Sequence, residues 1–178
     1  MPSQQPELNQ RASQIQLVIL DVDGVLTDGR IHLGSGSEEG RTFYVRDGLA
    51  IKIAQRVGLQ FGILSGRDSP VVSRRASELG IEHVHQGVIE KGERFDQIVS
   101  ETGIQPEQIC FVGDDLIDLP AMRRAGFAAS PADADSEVMK HAHYICEKNG
   151  GHGAVREVVE VILRASDRWE RALERFLR

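Results

Sequence analysis

Residues 17–29 read Leu17-Val18-Ile19-Leu20-Asp21-Val22-Asp23-Gly24-Val25-Leu26-Thr27-Asp28-Gly29. An apolar run of the kind that forms a buried parallel strand stops at two carboxylates flanking one small side chain. Carboxylates at the end of a buried strand add nothing to a core. They suit one group that attacks and one that handles protons beside a bound cation, which is phosphoryl-transfer chemistry. Gly24 lets the backbone turn tightly and expose its amide groups. A bare Asp-x-Asp fits a calcium-binding or solvated loop equally well. The strand before it and Gly24-Val25-Leu26-Thr27-Asp28 after it favour the catalytic reading.

Outward from this stretch, strand and helix patterns alternate. Residues 29–45 read as a β-hairpin, with Ile31 and Leu33 on the outgoing arm, a turn at Gly34-Ser35-Gly36-Ser37 and a return strand at Thr42–Val45. Leu49, Ile53 and Val57 recur at helical spacing and stop at Gly58. Gln60–Leu64 reads as the next strand. Pro70 opens a helix that carries Val72, Ala76 and Leu79 and closes at Gly80. His83–His85, Ile109–Val112, Phe127–Ala129 and His143–Cys146 read as further strands, with a helix around Phe95, Ile98 and Val99. The last segment, about 153–177, reads as one long helix that packs its Trp169–Phe176 part on the parent sheet or on another subunit. The pattern predicts an α/β three-layer sandwich with a mostly parallel sheet. It consists of a flexible leader over 1–14 and a single domain over 15–178.

In such folds ligands sit beyond the carboxyl ends of the strands. Asp21-Val22-Asp23-Gly24, Ser65-Gly66-Arg67-Asp68 and Gly113-Asp114-Asp115 all follow predicted strands, so all three gather at one edge. Asp21 is the candidate nucleophile and Asp23 the candidate proton donor and acceptor. Paired acids such as Asp114 and Asp115 suit Mg²⁺, a hard cation that takes oxygen ligands, and Asp118 lies one helical turn further. A solvated helix start is the alternative reading for Asp115 and Asp118 individually. Ser65 offers a hydroxyl and a backbone N–H to a phosphoryl oxygen. Lys91, ahead of a helix, is the candidate fixed positive charge.

The bulk numbers bound the alternatives. The chain has 178 residues, enough for one full core, with 40% hydrophobic residues and a net charge of −6. That balance argues against a nucleic-acid surface. No stretch approaches a membrane span, and the N-terminus lacks an apolar signal core, so a cytoplasmic protein is expected. Cys110 and Cys146 sit in apolar runs and read as packed free thiols. His83 and His85, and His141 and His143, lack further ligands of zinc character nearby.

These motifs resemble those of the haloacid dehalogenase superfamily, over essentially the whole chain after the leader. Asp21-Val22-Asp23-Gly24-Val25, Ser65, Lys91 and Gly113-Asp114-Asp115-Leu116-Ile117-Asp118 match its four motifs. Val45-Arg46-Asp47-Gly48-Leu49, Leu64-Ser65-Gly66-Arg67-Asp68-Ser69-Pro70 and Gly150-Gly151-His152-Gly153 resemble its branch of sugar-acid phosphatases. The resemblance implies Mg²⁺-dependent hydrolysis of 3-deoxy-D-manno-octulosonate 8-phosphate through an aspartyl-phosphate. A nine-carbon sugar 9-phosphate, or a non-catalytic tetramerisation module for a nucleotide-sugar synthetase, is the alternative. It implies Asp21, Asp23 (through its carbonyl) and Asp114 as metal ligands, with Asp115 and Asp118 in support. It implies no cap domain, and the 47 residues between Ser65 and Gly113 leave no room for one. It implies a homotetramer in which a neighbouring subunit completes each site. Arg46, Asp47, Gly66 and Arg67 are then candidates to read the sugar acid, since arginine pairs bidentately with a carboxylate.

Overall fold

The structure is a computed structural model that describes residues 5–35 and 39–178. Helix α1 (Gln5–Ser13) precedes strand β1 (Leu17–Leu20), whose four residues are all buried. A hairpin of β2 (His32–Leu33) and β3 (Glu39–Gly40) follows, then helix α2 (Val45–Arg56) and strand β4 (Gln60–Leu64). Next come helix α3 (Pro70–Leu79), strand β5 (His83–His85), helix α4 (Lys91–Thr102) and strand β6 (Ile109–Val112). The chain continues through α5 (Leu119–Met122), β7 (Phe127–Ser130), α6 (Ser136–His141), β8 (Tyr144–Ile145), α7 (Ala154–Ala165) and α8 (Trp169–Leu173).

Six strands form one parallel sheet in the order β5-β4-β1-β6-β7-β8. β1 lies between β4 and β6, where the connections diverge to either side. Such a switch point opens a crevice at the strands' carboxyl ends. The register sets Leu20 opposite Ile63 and Val112, so Asp21, Ser65 and Gly113 leave the sheet nearly level with one another.

Side chains alternate across β1, as a strand's period of two requires. Val18 and Leu20 face a core shared with Ile51, Val72, Val155, Val158 and Ile162, from α2, α3 and α7. Leu17 and Ile19 face a second core with Phe95, Ile98, Ala121 and Val138, from α4, α5 and α6. Helices on both faces complete the three layers. α3 begins at Pro70 and ends at Gly80 in the left-handed conformation, as its punctuation predicts. Between Ser65 and Gly113 the chain contributes only elements of the sandwich. Among the described residues, no helix is long and apolar enough to cross a membrane.

Three expectations are corrected. The leader is not loose from residue 5 onward: α1 packs on α7, burying Ala12 and Ile15. Its stripe is short and its termini polar, so little in the sequence distinguishes it from a tail. The hairpin is shorter than predicted, because Thr42–Val45 is not its return strand. That role falls to Glu39–Gly40, while Phe43 makes an isolated bridge to Thr27 and Val45 already begins α2. Gly36 and Ser37 of the predicted turn lie outside the described residues. The C-terminal helix is broken after Ala165, where Asp167 adopts a positive φ of 54°. The turn brings α8 back against α2 and α7, with Ala172 buried and Trp169 packed on the chain's own core under Arg164. Phe176 and Leu177 remain exposed.

Candidate active site

The loop after β1 is held open by close backbone packing. Gly24 has a φ of 104°, and a Cβ there would stand 2.1 Å from Asp114 Oδ2. From the other side, a Cβ on Gly150 would stand 1.7 Å from the Gly24 carbonyl oxygen. The Gly150-Gly151 pair therefore backs the nucleophile loop directly, and Gly151 N–H donates to Val25 O at 3.0 Å. This gives the C-terminal glycine motif a structural reason.

At the sheet edge, Lys91 Nζ donates to Asp21 Oδ1 and to Asp118 Oδ1, each at 2.5 Å, with all three residues buried. Asp118 Oδ2 accepts the backbone N–H of Asp114 at 3.0 Å and of Asp115 at 3.3 Å. Asp118 thus fixes both the lysine and the loop that carries Asp114. Asp21, Asp114 and Asp118 each place a carboxylate oxygen within 4.8 Å of the others. Asp114 Oδ1 is buried without a hydrogen-bond partner among the described residues. An orphaned carboxylate oxygen beside two more carboxylates is an all-oxygen donor set that fits a hard divalent cation.

The electrostatics agree. Burial pushes Asp21 up to about 7, aided by Asp118 and opposed by Lys91. Burial pushes Asp114 up to about 8, with Asp21, Asp118 and Asp115 adding repulsion. Burial by itself disfavours the Lys91 ammonium, but Asp21 and Asp118 outweigh it and hold its pKa above the ordinary value. One lysine does not neutralise three carboxylates; a bound cation would.

Asp23 is not one of these three clustered carboxylates. Its carboxylate is gripped by Arg41, whose Nε donates to Oδ1 at 2.5 Å and Nη2 to Oδ2 at 3.1 Å. Arg41 also donates to Ser69 Oγ at 2.8 Å and to Glu39, and its side chain is wholly buried. Arg67 is half exposed beside this group, 3.2 Å from Glu39 and 4.0 Å from Asp23. Sequence reasoning missed Arg41, Glu39 and Ser69. One signal was available: five aspartates at one sheet edge, with one Mg²⁺ and Lys91 assigned to them, still carry excess negative charge and call for another positive group.

Several predicted site residues lie differently from expectation. Ser65 N–H donates to His85 O at 2.9 Å, extending the sheet, so only its hydroxyl remains to be offered. Gly66 faces Ile117 and Val88, where a Cβ would already be 3.2 Å from Ile117 Cδ1. Asp115 does not join the carboxylate cluster: it is exposed, and Oδ1 accepts Leu116 N–H at 2.7 Å to cap a short 3-10 turn. Asp47 is buried, and Oδ1 accepts the backbone N–H of Arg156 at 2.8 Å. It serves as a carboxylate at the α7 N-terminus, where negative charge is favourable, and not as part of an open rim. Arg46 is exposed in a separate groove of about 420 Å³, shared with Tyr44, Lys148, His152 and Arg156. In one chain, Arg67 alone of the proposed sugar readers with charged side chains adjoins Asp23. The cysteines are free and buried, and His143 Nδ1 accepts Ala128 N–H at 2.8 Å, as packing roles require.

Comparison with known proteins is consistent with this geometry. The family model for haloacid dehalogenase-like hydrolases matches residues 36–126. 3-Deoxy-D-manno-octulosonate 8-phosphate phosphatase KdsC from Yersinia pestis is 42% identical over 163 residues, covering 92% of this chain and 87% of that protein. The chain belongs to this phosphatase family, within the haloacid dehalogenase-like hydrolases. The family member from Moraxella catarrhalis, solved with magnesium, phosphate and KDO, superposes with a TM-score of 0.93 at 40% identity, covering 96% of this chain and 98% of that one. The cobalt-bound family phosphatase from Haemophilus influenzae gives a TM-score of 0.86 at 40% identity, over 89% and 92% of the two chains. The predicted capless α/β architecture is that of the family, and the chain is a phosphomonoester hydrolase.

Proposed function

We propose that this chain hydrolyses 3-deoxy-D-manno-octulosonate 8-phosphate with Mg²⁺, feeding the inner core of lipopolysaccharide. The observation that carries the mechanism is the buried Asp21–Lys91–Asp118 group beside the unpartnered Asp114 Oδ1. Asp21, Asp114 and the Asp23 carbonyl would hold Mg²⁺, with Asp118 in support, and the bound ion would neutralise and polarise the phosphoryl group. The Asp21 carboxylate attacks phosphorus, a P–O bond to Asp21 forms, and the bond to the sugar oxygen breaks. Asp23 gives its proton to that oxygen. A water then attacks the aspartyl-phosphate, Asp23 takes its proton, and phosphate leaves with Asp21 restored. Lys91 and the Ser65 hydroxyl hold the phosphoryl oxygens, and Arg67 reads the sugar carboxylate.

The substrate choice is supported by the relatives' identity over nearly the whole chain. A homotetramer that shares its sites is supported by exposed apolar side chains: Leu33 on the hairpin, Ile89 two residues ahead of Lys91, and Leu116 next to Asp115. The deciding experiment compares Mg²⁺-dependent phosphate release from the eight-carbon sugar acid phosphate, its nine-carbon relatives and hexose phosphates. A preference of at least about tenfold for the eight-carbon ester is expected, about 1.4 kcal/mol of discrimination. A nine-carbon preference would replace the substrate and keep the chemistry.

The pKa shifts give a second test. A carboxyl whose folded-state pKa is raised contributes stability that is complete below its ordinary value of 3.8 and lost as pH rises through its folded value. For Asp21 and Asp114 that loss runs up to about 7 and about 8. Mg²⁺ binds the ionised forms and opposes the loss. The rise in melting temperature caused by Mg²⁺ is therefore expected to be larger at alkaline than at mildly acidic pH. An equal or reversed dependence would contradict the ligand assignment.

A further inference from the structure

The Arg41 grip on Asp23 stands out because the surrounding residues give up ordinary roles to build it. Ser69 occupies the position before α3, where a serine commonly caps the helix with its oxygen. Here its side chain makes no cap bond, and its buried hydroxyl instead receives Arg41 Nη1. Glu39, on the short β3 strand, takes the same nitrogen, and Arg67 closes the circle from Glu39 to the outside. A wholly buried guanidinium is costly unless its donors are matched, and here all three nitrogens are engaged. The fork meets both Asp23 oxygens, a geometry that fixes the carboxylate's rotation as well as its place.

Asp23 has little else to orient it. Among the described residues, apart from Arg41, its side chain has only the edge of Arg67, at 4.0 Å. It sits on a loop whose neighbour, Gly24, offers no side-chain support. The Arg41 side chain is sealed from solvent, and among the described residues its side-chain partners are Asp23, Glu39 and Ser69.

We propose that Arg41 is a positioning residue, delivered by the hairpin, that holds the Asp23 carboxyl group where it can protonate the leaving oxygen. This rests on the acid role given to Asp23 above. In that step the P–O bond to the alcohol breaks, its electron pair stays on oxygen, and the Asp23 proton moves onto it. An ester of a strongly acidic phenol leaves without that proton, whereas an alkyl ester needs it.

The test measures kcat/KM, which covers the steps up to release of the leaving group. It uses three esters: the eight-carbon sugar acid phosphate, glycerol 1-phosphate as an alkyl ester without a carboxylate, and p-nitrophenyl phosphate. Arg41→Met is expected to lower kcat/KM on both alkyl esters about 100-fold, and on the aryl ester by only a few-fold. Arg41→Lys, which keeps the positive charge but on a single nitrogen without the fork, is expected to recover about tenfold of the loss, and it also carries the comparison should the methionine variant fold poorly. Equal losses on alkyl and aryl esters would reduce Arg41 to a structural prop and overturn the proposal. A loss confined to the sugar acid would make it a substrate contact and also overturn it. Asp23→Asn, measured in parallel, separates the two levels. If it too fails to distinguish alkyl from aryl esters, the acid role itself falls, and Arg41's with it.

Discussion

Asp21→Asn is expected to reduce phosphate release at least about 10⁴-fold, with the fold retained. The amide is nearly the same shape as the carboxylate but is a very poor nucleophile, and loss of a nucleophile alone can remove most of an enzyme's catalytic advantage. The fold should tolerate it because burial already disfavours the ionised form, pushing Asp21 up to about 7. The amide oxygen can still accept from Lys91, which also keeps Asp118 at 2.5 Å. Steady-state phosphate release and circular-dichroism melting, measured on the same preparation, decide it. Residual turnover above about one part in a hundred would remove Asp21 from the nucleophile's role.

Lys91→Met should strike both stability and rate. Methionine fills much of the same volume, yet leaves Asp21 and Asp118 facing each other beside Asp114 without their common cation. Breaking a buried ion pair from one side costs about 3–5 kcal/mol. At pH 8 without metal, denaturant unfolding should show a loss of that order. At pH 6 the loss should shrink, because the raised carboxyl groups can take up protons instead of repelling one another. The rate should fall about 10²- to 10³-fold, as when one preorganised charge is removed from a transition state. A stability loss that ignores pH would mean that Lys91 contributes by packing alone.

The central sheet was legible because its strands are short apolar runs punctuated by glycine, proline and acid. Leu17–Leu20, Gln60–Leu64 and Ile109–Val112 carry that signal plainly, and their parallel register brings Asp21, Ser65 and Gly113 together. What escaped were features decided by distant contacts. The helix at Gln5–Ser13 is held by α7 rather than by its own pattern. The break at Asp167 has no glycine to announce it. Asp47 looks like a rim residue until the α7 backbone is seen to need its oxygen. Arg41 looks like one more surface charge until the chain folds its hairpin over Asp23. The acid core of the site was thus readable from local sequence, while the residues that orient or brace it were not, since their partners lie far along the chain.

The backing of the nucleophile loop by Gly150 and Gly151 has a consequence for the order in which the protein can mature during synthesis. By the time residue 118 has been made, Asp21, Asp23, Ser65, Lys91, Asp114 and Asp118 all exist, and β1, β4 and β6 can pair. Domains generally fold as units as they are made, at about 5–20 residues per second. The turn at Gly24 nevertheless lacks the wall that it leans on until residues 150 and 151 emerge and Gly151 reaches Val25. A ribosome-bound intermediate can therefore hold the complete set of reacting side chains, yet leave the loop that aims two of them unbraced. Competence arrives with a pair of glycines that take no part in the chemistry.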